Sequence, residues 1–211
     1  GSIIVSVENG QQYAEQKNIK QQISDLVVTT NNDETTNTLT IQGGDSTAAK
    51  VTLSNVNINA SGAAVSVSGN VELVIAGTNT LHSGTDHAGV EKADDNGTLT
   101  ISGSGELKAY GGYWGAGIGS GSDGTAYVEI TGGEINATGG YLGAGIGGGC
   151  NGSGNVTISG GTITAAGGDG AAGIGGGYYN GATVTITGDA VIKNASNTKY
   201  GAGIGGGNGS D

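Results

Sequence analysis

Gly143-Ala-Gly-Ile-Gly147 is the stretch that decides the fold, because the chain writes it four times. The other copies are Gly115 to Gly119, Gly201 to Gly205 and, with alanine in first place, Ala171 to Gly175. Their central isoleucines, Ile118, Ile146, Ile174 and Ile204, are separated by steps of 28, 28 and 30 residues. A fixed period of that size marks a solenoid, in which each repeat buries its apolar face against its neighbours rather than around a single centre. Function is then to be sought in columns of side chains stacked from coil to coil.

Around this repeat the coil reads strand, turn, strand, turn, strand. Asn155-Val-Thr-Ile-Ser159 is followed by Gly160-Gly161, Thr162-Ile-Thr-Ala165, a glycine-rich link and Ala172-Gly-Ile174. Alternation points Val156, Ile158, Ile163, Ala165, Ala172 and Ile174 inward, and Thr157, Ser159, Thr162 and Thr164 outward. Three short strands per turn predict an all-β protein, a parallel β-helix with repeats of about 28 residues. Thr98 to Ser102, Tyr127 to Thr131 and Thr183 to Thr187 are equivalent first strands, so Ile101, Ile130, Ile158 and Ile186 are expected in one parallel ladder. Earlier coils are degenerate: Val51 to Ile58, then Val71 to Leu81, with Ala88-Gly-Val90 in place of Ala-Gly-Ile. His82 to Gly97 breaks the rhythm with an excursion poorer in glycine.

Composition agrees. Forty-seven glycines without a proline, interleaved with Val and Ile at ordered intervals, argue for tight turns rather than low complexity. With no Phe or Met, a narrow core must be filled by stacked Ile, Val, Leu and Ala. The formal charge is -11 and arginine is absent, which argues against nucleic acid and anionic membranes as partners, since both need clusters of basic residues. Cys150 stands alone, so an internal disulfide is excluded, and a small turn residue is expected there. No run of 18 apolar residues occurs, so membrane insertion is not expected. The N-terminus lacks the basic and apolar regions of a secretory signal, and a leader and surface anchor are expected to lie outside this sequence.

Residues 12 to 28 differ from the rest. Ile19, Ile23, Leu26 and Val27 fall at helical spacing among Gln, Lys and Glu, which predicts a short amphipathic capping helix. With the strand-like Ile3 to Val7 it forms an expected N-terminal cap, residues 1–37, ahead of β-helix repeats over 38–211. The chain stops at Asp211, directly after the fourth repeat. Further coils and domains of a longer surface protein, or a partner over that edge, are expected.

Val51-Thr-Leu-Ser-Asn-Val-Asn-Ile58, Ala63-Ala-Val-Ser-Val-Ser-Gly69, Val71-Glu-Leu-Val-Ile75, Gly77-Thr-Asn-Thr-Leu81 and Leu99-Thr-Ile-Ser-Gly-Ser-Gly-Glu-Leu107 carry a resemblance. Over residues 38 to 211 the pattern resembles a family of secreted bacterial β-helix proteins known as carbohydrate-binding domains, found mainly in Firmicutes. The later GAGIGGG coils look like repeats of large gut-bacterial surface proteins. The resemblance implies a right-handed parallel β-helix of the polysaccharide-lyase type that binds plant polysaccharide, with calcium in some members. The uniform glycine coils depart from that pattern and leave few distinctive side chains to carry a site across.

Glycan sites combine an aromatic platform with a few placed polar groups. Tyr110, Tyr113, Trp114, Tyr141, Tyr178, Tyr179 and Tyr200 all flank the glycine segments, and none of these ring types occurs between Tyr13 and Tyr110. Aligned on Ala-Gly-Ile, Tyr113, Tyr141, Asp169 and Lys199 form one column, with Trp114, Leu142, Gly170 and Tyr200 in the next. The competing reading is that the rings merely cover glycine backbone. Asp86, Glu91, Asp94 and Asp95 gather in the excursion, where carboxylates and carbonyls suit calcium, although Asp94-Asp-Asn-Gly97 is also an ordinary turn sequence. The glycine segments are not dinucleotide loops, which occur once, after a strand and before a helix. Lyase chemistry lacks arginine, and neither Lys92 and Lys108 nor His82 and His87 form a convincing acid–base set. A non-catalytic polysaccharide-binding module of a secreted or cell-surface protein is the expectation. A structural stalk comes next, and then a lyase or an ice-binding face built on the outward column Thr100, Glu129, Thr157 and Thr185.

Overall fold

The computed structural model describes residues 1–92 and 94–209, and every regular element among them is a strand. The strands form a right-handed parallel β-helix with three sheets running side by side along the coil. One turn contributes Asp123–Ile130 to the first sheet, Glu134–Thr138 to the second and Ile146–Gly147 to the third. The next turn lays Asn151–Ile158, Thr162–Asp169 and Ile174–Gly175 directly beside them. The first and second sheets are each seven strands deep, and the third has ten strands.

The ladders follow the repeat. Ile118 pairs with Ile146, Ile146 with Ile174 and Ile174 with Ile204 in the third sheet. Ile101, Ile130, Ile158 and Ile186 form the expected column in the first. All six inward residues named for the coil at 155–174 are fully buried. Each such isoleucine contributes roughly 1.5–3 kcal/mol by leaving water. Within the last coil Ile186 and Ile204 are 38% and 44% exposed, because no described strand lies over them. The last step is 30 residues for a local reason. Ile158 meets Ile186 at a spacing of 28, Ile163 meets Ile192 at 29, and a bulge after Ile163 makes Thr164 meet Asn194 at 30. Lys193 is the residue the bulge leaves over.

The expected capping helix is absent. Residues 11 to 28 instead form the strands Gln11–Gln16, Ile19–Gln22 and Leu26–Val28. Ile3–Glu8, Gln11–Gln16 and Ile19–Gln22 make an antiparallel meander, whose first strand joins the third sheet beside Leu39–Gln42. Two residues link each hairpin, Asn9-Gly10 and Lys17-Asn18, and all four have positive φ (51°, 75°, 50° and 63°). That is the turn whose twist matches a β-hairpin, and Asn-Gly is its strongest sequence signal. The helical spacing of Ile19, Ile23, Leu26 and Val27 makes no common apolar face, since Leu26 packs against the core while Ile19 and Val27 are 64% and 58% exposed. Coil stacking begins with Leu26–Val28, which pairs in the first sheet with residues 51 to 53.

Candidate functional site

The third-sheet strands of the later coils are only two residues long, so the loops on either side of them converge. The loop before the strand carries Tyr113 and Trp114, then Tyr141 and Leu142 one coil on. Its amides hold successive copies in register: Trp114 N–H donates to Thr85 O (2.8 Å) and Leu142 N–H to Tyr113 O (3.2 Å). The loop after the strand carries Cys150 in one coil and Tyr178 in the next. Cys150 N–H donates to Trp114 O (2.8 Å) and Tyr178 N–H to Leu142 O (3.2 Å), which ties the two loops together.

This backbone register builds the column expected from the repeat. Tyr113 and Tyr141 stack with centroids 5.0 Å apart and planes 30° apart, and Trp114 meets Tyr113 edge-on at 5.6 Å. The Tyr141 hydroxyl donates to Asp169 Oδ2 at 3.1 Å, and Asp169 pairs with Lys199 in the next strand. Lys199 Nζ lies 4.7 Å from the centre of the Tyr200 ring. Tyr178 and Tyr179 contact edge-to-face at 4.2 Å. Tyr141, Leu142, Asp169, Tyr178, Tyr179, Tyr200 and Asn208 together line an open hollow of about 310 Å³. Tyr113, Trp114, Tyr141, Tyr179 and Tyr200 are exposed, a concentration of large rings that a soluble surface normally avoids.

Two of the seven rings behave differently. Tyr110 stacks flat on His82, with centroids 4.2 Å and planes 2° apart, and belongs to the outer face of the second sheet. Tyr178 is half-buried on Gly170, where a Cβ would lie 2.2 Å from its ring. It covers glycine backbone as well as lining the hollow. Asn208 was not singled out from sequence. The signal was present, because it stands four residues past Ile204, as Tyr178 stands four past Ile174.

The Asp169 carboxylate holds the Tyr141 hydroxyl above the ordinary tyrosine range, first through the hydrogen bond and then through its charge. In an ultraviolet difference titration Asp169→Asn is expected to move the ionisation of Tyr141 to lower pH. A neutral phenol is favoured in the fold, so this contribution to stability is intact below the ordinary tyrosine pKa and is lost as pH rises through the raised one. If Asp169→Asn leaves the titration unchanged, the bond does not persist in solution. Burial, followed by the Asp123 charge, pushes the Cys150 thiol up, which suits the turn residue expected there rather than a nucleophile.

Three of the four acids considered for calcium, Glu91, Asp94 and Asp95, are held through their side chains by separate partners. Glu91 Oε2 accepts from Ala88 N–H (3.0 Å) and lies 2.9 Å from His87 Nδ1. Asp94 is bonded to the Lys92 ammonium and to Gly69 N–H, and Asp95 Oδ1 accepts from Thr125 N–H at 3.0 Å. Asp86 is exposed, and its carbonyl accepts from Ser122 N–H. Among the described residues no group of three or more His, Cys, Asp or Glu side chains is gathered as metal ligands. The outward threonine column of the first sheet forms in the order expected, but Lys50 and Glu72, paired at 2.9 Å, and Glu129 make it a charged face.

The chain matches the family described as Beta helix repeat over residues 99–122, 128–150 and 156–178, three successive coils that run from a first-sheet strand to the glycine loops. Neither a curated protein nor a solved structure matches it.

Proposed function

We propose that this β-helix is a non-catalytic polysaccharide-binding module of a secreted or cell-surface bacterial protein, which holds its glycan along the track from Trp114 to Tyr200. The observation carrying this reading is the in-register sequence of Tyr113 on Tyr141, Tyr141 on Asp169, and the tyrosine-walled hollow beyond. Coils advance about 4.8 Å each, so the three steps from Tyr113 to Tyr200 cover about 14 Å, an extended strip suited to a chain of sugar units. Ring surfaces offer apolar contact to sugar C–H groups, while the phenol hydroxyls, Asp169 and Asn208 offer polar partners for hydroxyls. The histidines available for acid–base work have structural partners, His82 in its stack with Tyr110 and His87 beside Glu91, which favours binding over cleavage.

Retention on immobilised neutral and acidic polysaccharides, first with calcium and then with chelator, tests the reading. We expect the wild type to be retarded, and the double variant Tyr113→Ala with Trp114→Ala to bind at least about tenfold more weakly, as for loss of a central aromatic anchor. A wild type that passes every column unretarded is a structural stalk. Unchanged binding by the double variant removes this end of the track from the site.

A further inference from the structure

We infer that the hollow at the far end of the track receives an ammonium group, so that the glycan it prefers carries free amino sugars; this rests on the polysaccharide-binding reading above. The first reason is the Asp169 carboxylate. Its Oδ2 accepts from Tyr141, whereas its Oδ1 is buried and accepts no hydrogen bond. Asp169 lines the hollow with one hydrogen bond on its carboxylate, and a charge-assisted N–H donor is the partner that complements its charge best. A sugar hydroxyl also donates, but more weakly, and brings no positive charge.

The second reason is the wall. Tyr141, Tyr178, Tyr179 and Tyr200 surround the same hollow. Aromatic faces attract cations through the ring quadrupole, and several rings around one point form the cage that recognises substituted ammonium groups. The chain already uses one of these faces this way, since the Lys199 ammonium sits 4.7 Å from the centre of the Tyr200 ring. A net charge of -11 adds a long-range field of the right sign for a cationic polymer. Lys199 is the competitor: Asp169 and Lys199 are neighbours in the ladder, and a lysine that left Tyr200 for Asp169 would close the site.

The test compares glucosamine hexamer with free amines, its fully N-acetylated form, and cellohexaose, titrated calorimetrically into the whole chain. The free-amine oligomer is expected to bind about tenfold more tightly than the N-acetylated one, the scale of one desolvated cation–aromatic contact. Asp169→Asn should bring that ratio close to one, and Tyr200→Ala should lower it. Asp25→Asn removes the same charge from an exposed site elsewhere and should leave the ratio intact. Melting curves establish that each variant is folded. Equal binding of the free-amine and N-acetylated oligomers by the wild type overturns the ammonium assignment and leaves the glycan reading standing. A ratio that falls as far in Asp25→Asn also overturns it, because the preference is then bulk charge. No binding of any of the three sinks the polysaccharide reading itself.

Discussion

Gly147→Ala is expected to destabilise the β-helix by at least about 3 kcal/mol, whereas Gly205→Ala, at the equivalent position of the last coil, should cost only about 1–2 kcal/mol. Both residues have strongly positive φ, 130° and 132°, so the conformational penalty of a side chain is common to the two. What differs is the next coil. A Cβ on Gly147 would lie 2.0 Å from Gly175 O and 2.9 Å from Gly175 C, and these are backbone atoms of a hydrogen-bonded neighbour. No rotamer relieves that overlap. The coils would have to separate, which breaks the isoleucine column and the loop register that carries Tyr141. The nearest atom to a Cβ on Gly205 is Ala202 Cβ at 3.6 Å, an ordinary contact. Urea or thermal unfolding followed by circular dichroism compares the two directly. A loss of similar size in both variants would mean that backbone conformation, and not close stacking of the coils, is what demands glycine here.

The same contrast explains how much was legible beforehand. A Cβ excluded by the coil above requires glycine at Gly119, Gly147 and Gly175, so in the later coils steric necessity is written into the sequence as a repeat. From that repeat followed the three strands per turn, the isoleucine ladders and the column Tyr113, Tyr141, Asp169 and Lys199, which the structure joins by a ring stack, a hydrogen bond and a strand pairing. The N-terminal residues have no repeat behind them. There the apolar spacing of Ile19, Ile23 and Leu26 was read as a helix, although the Asn9-Gly10 turn, a local and stronger signal, already specified a hairpin. The excursion at 82 to 97 is organised differently. Of its four acids, Asp94 bonds to Gly69 in the coil before, Asp95 to Thr125 in the coil after, and Glu91 within its own turn. The convergence of the loops around Tyr178 and Asn208 depends on how short the third-sheet strand is, which spacing alone does not specify.

Asp94→Ala should be the most damaging change on the excursion, with a cost of about 3–5 kcal/mol, because it strands a buried charge. Lys92 stands in an inward position of the third sheet, in the column where Ile41 and Val67 precede it. Its side chain has no solvent exposure. An ammonium there needs three acceptors, and it has three: the Asp94 carboxylate, Asp94 O at 2.9 Å and Asn96 O at 2.6 Å. Asp94 also accepts from Gly69 N–H at 3.2 Å, so one carboxylate neutralises the core lysine and pins the excursion to the preceding coil. Without it the two remaining carbonyls supply no countercharge. Lys92→Met removes the charge along with its need for a partner, fills the same inward space, and leaves a partly exposed Asp94 that water can reach. It should therefore cost much less than Asp94→Ala. The double variant should be more stable than Asp94→Ala alone, a non-additivity that independent sites would not give. High salt should leave much of the Asp94→Ala penalty in place, since the stranded Lys92 ammonium is enclosed in the core. Equilibrium unfolding of the three variants measures this. Asp94→Ala within about 0.5 kcal/mol of the wild type would mean that Lys92 reaches solvent, and that the excursion is an ordinary surface loop rather than a strap closed on a buried lysine.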